Sequence, residues 1–304
     1  MTNAHATTPA IPTDDGFGEI KLRPQGNPII RFARRKPLGA FGAVILMFAA
    51  LTALTAPWIA PYGFNITSLG DRLVGPTANH WMGTDELGRD LMSRLIYGAR
   101  VSITISLGAV MIASVLSLLI GGTTGYFGGI WDTVIQRLVD AWMALPGLVT
   151  AIILVGLFGQ SVFWLMIVIG LSGGVQQSRI VRSAVLDVKH RPYVEAAKSL
   201  GATETRLMLR HILPNILPIL IVLSSTVLGG YILTEAGLSF LGYGVPPPTP
   251  TWGGMLAGSA VQYMQNNPSM VIFPGLVLAL TVYSANMFGD ALRDVLDPRL
   301  RGTR

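Results

Sequence analysis

Long apolar runs separated by clumps of charge set the pattern of this chain. The runs fall at roughly 38–57, 101–122, 138–158, 161–176, 216–234 and 271–289. A helix needs about 20 apolar residues to cross a hydrocarbon core of about 30 Å. The pattern therefore predicts an all-α polytopic membrane protein with about six transmembrane helices. The fourth run is short before Gln176, so its helix is expected to continue beyond the membrane. Pro146 sits inside the third run, where a missing backbone donor should bend the helix. Gly121, Gly125 and Gly129 repeat at a spacing that permits close helix–helix approach on one face.

Between the runs lie three long polar stretches. Residues 60–97 and 236–270 belong to one side of the membrane and 177–212 to the other. The last reads as two short helices, about 191–200 and 203–212, hinged at Gly201, with Pro214 opening the next span. Residues 1–28 carry Pro9, Pro12, Pro24 and Pro28 among small polar residues and read as a disordered tail. The expected organisation is a basic N-terminal tail over 1–37, a transmembrane domain over 38–292 and a C-terminal tail over 293–304. The first run ends in Pro57-Trp58-Ile59-Ala60-Pro61, with no small-residue cleavage site, so it is read as an uncleaved span.

Composition agrees with this division. With 51% hydrophobic and 12% charged residues, the chain lacks the charged skin of a soluble domain. Lys and Arg set the orientation. Placing the N-terminus in the cytoplasm puts 18 of the 22 inside, leaving Arg72, Arg89, Arg94 and Arg100 outside. The net charge of +6 thus reflects membrane orientation, and no nucleic-acid partner is expected. The chain has no cysteine, which excludes disulfides, thiolate metal sites and cysteine nucleophiles. His5, His80, His190 and His211 lie far apart, so no metal site and no cofactor are expected.

Two polar blocks invite a functional reading. Gly83-Thr84-Asp85-Glu86-Leu87-Gly88-Arg89-Asp90 precedes an amphipathic turn, with Thr84 or Asp85 expected to cap it. Leu171-Ser172-Gly173-Gly174-Val175-Gln176-Gln177 resembles the phosphate-binding signature of ABC-transporter ATPases, whose amides act at a helix N-terminus. It lies at the end of a membrane span, and the chain lacks the GxxxxGK[ST] loop that cradles phosphates. No ATP hydrolysis by this chain is expected.

The most specific segment is Glu195-Ala196-Ala197, then Gly201, His211, Leu213 and Pro214. It resembles the coupling loop of binding-protein-dependent ABC importer permeases, with His211 where the general pattern has Ile. Residues 83–90, 235–254 and 289–300 are similar to further motifs of the peptide/nickel branch of that family, in its "C-type" subunit. The resemblance implies a second, unlike permease subunit, two ATPase subunits on the cytoplasmic side, one of them docked on this coupling loop, and an external substrate-binding protein. ATP would be bound by the ATPases, and the chain would sit in a bacterial inner membrane with both termini cytoplasmic. The implied substrate is a di- or oligopeptide, with nickel and glutathione as alternatives. Gly83, Thr84, Asp85, Gly88, Arg89 and Asp90 carry the external motif. Glu235, an acidic residue inside an apolar run, is either a translocation-path residue or a paired structural one that caps a following helix. A stand-alone secondary transporter is the rival from another class, but the runs hold almost no charge to couple an ion.

Overall fold

Small residues decide how these helices meet. In the computed structural model, which describes residues 28–296, helix α1 (Pro28–Arg35) leads into α2 (Pro37–Ile59). The buried residues of α2 are all Gly or Ala, while Phe41, Met47, Phe48, Leu51, Leu54 and Trp58 are exposed. Water would penalise that arrangement. Lipid does not, because tails are as apolar as the side chains and only close packing favours association. Residues 28–35, assigned by the sequence to the tail, are helical. The remainder of the expected disordered tail, residues 1–27, lies outside the described residues.

An irregular segment leads to α3 (Leu91–Phe127), 37 residues and about 55 Å long at 1.5 Å per residue. Next come α4 (Gly129–Met143) and α5 (Gly147–Phe158), then α6 (Val162–Lys189). α3 and α6 run parallel in close contact. A side chain at Gly170 would meet Ile112 Cβ at 2.7 Å, and one at Gly125 would meet the Arg182 carbonyl at 2.8 Å. The expected glycine face is thus Gly121 and Gly125 against α6. Gly129 lies beyond α3, meets nothing and takes no part.

The third expected span is corrected most. Pro146 does more than bend it: α4 and α5 meet at 92° across residues 144–146. α5 has only 12 residues, about 18 Å, too short to cross alone. The fourth run behaves as expected, continuing as one helix to Lys189.

After α6 come α7 (Pro192–Ser199) and α8 (Glu204–Arg206), which runs through a π-helical turn (Leu207–Ile212) into α9 (Leu213–Phe240). Pro214 stands in the first turn of α9 as expected, although that helix is continuous with the turn before it. It follows a turn in which the Leu213 amide reaches the Met208 carbonyl, and this wider turn accommodates the proline's missing donor. Short helices α10 (Trp252–Met255) and α11 (Ser259–Tyr263) precede α12 (Ser269–Leu296), and residues 297–304, including the end of the 289–300 motif, lie outside the described residues. Among the described residues, four helices are long and apolar enough to cross a membrane singly, or five with the bent pair counted as one. The charged second half of α6 keeps it from that group, although it lies alongside α3. Lys36 pairs with Asp294, placing the start of α2 and the end of α12 at one end of the bundle.

Candidate functional site

The coupling-loop residues stand at that same end. Their seat is a buried cluster that joins Tyr126 of α3 and Val181, Val185 and Val188 of α6 to Val194, Leu207 and Ile212 of the loop. Val194 faces inward, which turns Glu195, Ala196 and Ser199 outward. Ala196 is exposed as expected, whereas Ala197 is half-buried against the cluster. Leu200, at the tip, is 88% exposed. Gly201 takes φ +81° and reverses the chain, with open space where a side chain would stand. Thr203 then caps α8 by accepting from the Arg206 amide at 3.3 Å.

Three polar contacts outside the expected motif clamp this loop. The Tyr126 hydroxyl donates to Glu204, Lys189 Nζ donates to the Tyr126 carbonyl at 2.5 Å, and the same ammonium lies 5.4 Å from the Tyr126 ring centroid. Arg182 grips both carboxylate oxygens of Asp132 on α4, and Arg179 pairs with Asp140. Each pair joins residues tens of positions apart, so no sequence spacing announces them. His211 is half-buried, and Leu213 packs on the cluster.

At the opposite end, residues 83–90 form a knot. Asp85 Oδ1 accepts from the amides of Leu87 and Arg89 at 2.9 Å each, and its Oδ2 accepts from Arg89 Nε at 2.6 Å. Arg94 Nε lies 3.5 Å from that carboxylate, and its Nη1 reaches the carbonyls of Phe64 and Pro248. The expected cap is displaced. Asp90, not Thr84 or Asp85, caps α3 through the Ser93 amide at 2.7 Å, and its other oxygen meets His80 Nδ1 at 2.9 Å. The Thr84 hydroxyl instead donates to the Asp71 carbonyl and accepts from the Val74 amide. Gly83 and Gly88 both hold positive φ within the knot. Thr84, Asp85, Arg89 and Asp90 are all buried, so this motif chiefly holds residues 60–90 together.

Glu235 is fully buried. Its Oε1 accepts from Ser239 Oγ at 2.7 Å, while its Oε2 is buried without a hydrogen-bond partner among the described residues, beside the hydroxyls of Ser102 and Thr251. Those two oxygens accept amides of α10, Ser102 from Trp252 and Thr251 from Gly254. Glu235 therefore stands inside protein where α9 meets α3 and α10, and its hydrogen bond to Ser239 stays within α9. It caps no following helix, because α9 runs unbroken to Phe240. Residues 171–177 lie inside α6, where Gly174 packs on Leu116 and Gly173 lies under the Tyr231 hydroxyl. Their amides are bonded within the helix rather than free at its start.

A helical bundle with outward-facing apolar side chains, a clamped loop at one end and a knotted segment at the other is a polytopic membrane permease. Residues 113–302 match the family described as "Binding-protein-dependent transport system inner membrane component", and residues 29–76 match "N-terminal TM domain of oligopeptide transport permease C". The chain belongs to this family and is the permease subunit of an ABC importer, a multi-pass protein of the inner membrane. It is 43% identical over 97% of its length to the whole of a probable peptide ABC transporter permease protein, y4tQ, of Sinorhizobium fredii. It is 37% identical over 88% of its length to 89% of the glutathione transport system permease protein GsiD of Escherichia coli. It is 39% identical over 84% of its length to 92% of the nickel transport system permease protein NikC of the same species. An inward-facing structure of the MetNI methionine ABC transporter shares the fold, with a TM-score of 0.56 at 16% identity over 68% of this chain and 98% of that one.

Proposed function

We propose that this chain is one of two unlike permease subunits in a five-part importer of di- or oligopeptides. One of two ATPase subunits would dock on residues 191–212 in the cytoplasm, with both termini on that side. The external binding protein would meet the face built by residues 60–90 and 236–270. ATP is bound by the ATPases, and the permease needs no cofactor of its own. It turns ATPase dimerisation into alternating access, a two-state equilibrium biased from both ends.

The clamped loop carries this reading. Glu195, Ala196, Ser199 and Leu200 stand outward while Val194 anchors the helix beneath them. Leu200, left 88% exposed at the tip of a loop beyond the apolar spans, supports a docked partner there. The charge distribution supports the orientation, since the loop end holds most of the Lys and Arg. The peptide substrate is supported by the full-length similarity to a probable peptide permease.

The test is purification from the native membrane followed by reconstitution. An ATPase should co-purify, and proteoliposomes with the cognate binding protein should accumulate labelled tripeptide on ATP addition. The isolated chain should hydrolyse no ATP, and Ser172→Ala should leave nucleotide binding by the complex unchanged. Uptake of nickel or glutathione in place of peptide would reassign the substrate. Transport without any ATPase would overturn the whole reading.

A further inference from the structure

The break between α4 and α5 opens a cavity whose wall is mostly apolar and carries a few polar groups. The cavity, about 180 Å³, is lined by Gly147 and Leu148 at the start of α5, by Ser172 and Gln176 of α6, and by Tyr231 and Thr234 of α9. Its depth follows from helix geometry. Ser172 lies ten residues after Val162 and Tyr231 nine before Phe240, each about 14–15 Å along its helix. Those two helix ends are neighbours, since Gln160 Nε2 donates to the Gly242 carbonyl at 2.9 Å. Half of a hydrocarbon core about 30 Å thick is the same distance, so the cavity lies near mid-depth.

Irregular backbone at that depth is tolerated only within protein or along a polar cavity. Here the start of α5 has no side-chain cap, and the first amide bonded back across the break is Thr150 N, to the Pro146 carbonyl. The amides of residues 147–149 have no hydrogen-bond partner among the described residues. Two side chains add unspent donors. The Ser172 hydroxyl oxygen is buried without a partner. Tyr231, only 9% exposed, accepts from Gln177 Nε2 at 2.7 Å, which leaves its own proton free to donate. Gln176 Nε2 stands 4.0 Å from the position a side chain at Gly147 would occupy. No acidic residue is among those lining the cavity.

We infer that this cavity is a carboxylate-binding station on the translocation path. Backbone amides of α5, with Ser172, Gln176 and Tyr231, would receive the C-terminal carboxylate of the passing peptide. A helix N-terminus carries about half a positive charge and presents amides to an anion. Neutral donors hold the anion without a lysine or arginine, whose fixed charge would be costly at this depth. A substrate so held can also leave, as a transport station requires. The inference rests on the peptide-importer reading only for the identity of the carboxylate.

The chain has no cysteine, so a single one can report on the cavity. In the assembled complex, Leu148→Cys is labelled with a small cationic thiosulfonate, and Thr234→Cys gives a second vantage. Trialanine at millimolar concentration should slow labelling several-fold, whereas trialanine amide should not. Adding Tyr231→Phe and Ser172→Ala should abolish most of that protection while both cysteines still react. Equal protection by acid and amide, or none by either, overturns the station, as does a cavity that never reacts. Acetate protecting as well as trialanine would leave a bare anion site and remove the peptide from the inference. Protection without peptide uptake by the reconstituted complex would keep the anion site and remove the peptide importer. Uptake without protection would do the reverse.

Discussion

The phenol of Tyr126, in the last turn of α3, donates to the Glu204 carboxylate at the start of α8, tying a membrane-spanning helix to the coupling loop. Lys189 holds the same tyrosine from α6 through its carbonyl and ring. Movement of the loop is thereby shared with two packed helices.

Tyr126→Phe should keep the ring and its packing but free the loop. A hydrogen bond worth about 1 kcal/mol net corresponds to roughly fivefold in an equilibrium. ATP-driven uptake should fall by about that factor with normal membrane levels. ATP hydrolysis in the reconstituted complex should respond less to loaded binding protein. Unchanged uptake and coupling would show that the contact is dispensable.

Gly201 tests conformation apart from crowding. At φ +81° with open space around it, any side chain fits, yet a non-glycine residue there costs about 1–2 kcal/mol, with β-branched residues worst. Gly201→Val should abolish uptake, Gly201→Ala should reduce it, and Gly201→Asn, which tolerates a left-handed backbone, should retain most of it. Membrane insertion should be normal in all three, and co-purification of the ATPase should follow the same order.

The external knot should behave as structure. Asp85→Ala strands the buried Arg89 and Arg94, and removing one partner of a buried pair costs about 3–5 kcal/mol. Lower membrane levels and a reduced melting temperature in detergent are expected, with any surviving protein still binding the ATPase. A variant of normal stability that fails only with binding protein would instead make the knot a docking surface.

Orientation is checked by labelling intact cells with an impermeant thiol reagent. Thr77 and Ser199 are both exposed at opposite ends of the bundle, and repeating the labelling on permeabilised cells that lack the ATPase separates burial under a docked partner from sidedness. Thr77→Cys should react and Ser199→Cys should not. The opposite pattern would invert the topology.

Much of this protein was legible from one sequence because lipid imposes a length and a composition on anything that crosses it. Apolar runs disclosed the helices, Lys and Arg disclosed an orientation, and Glu195 through Pro214 disclosed the family. Gly201 could be read as a hinge because positive φ favours one residue type. Pro146 announced a bend but not its size. Whether a proline kinks a span or divides it depends on whether neighbours satisfy the freed backbone groups. The clamp at Tyr126 and the cavity at Ser172 were hidden for a related reason. Each joins groups from segments far apart in the chain, such as Tyr126 with Glu204 and Arg182 with Asp132. Inside a membrane every polar group must find a partner within the protein, and which partner it finds is decided only when the helices pack.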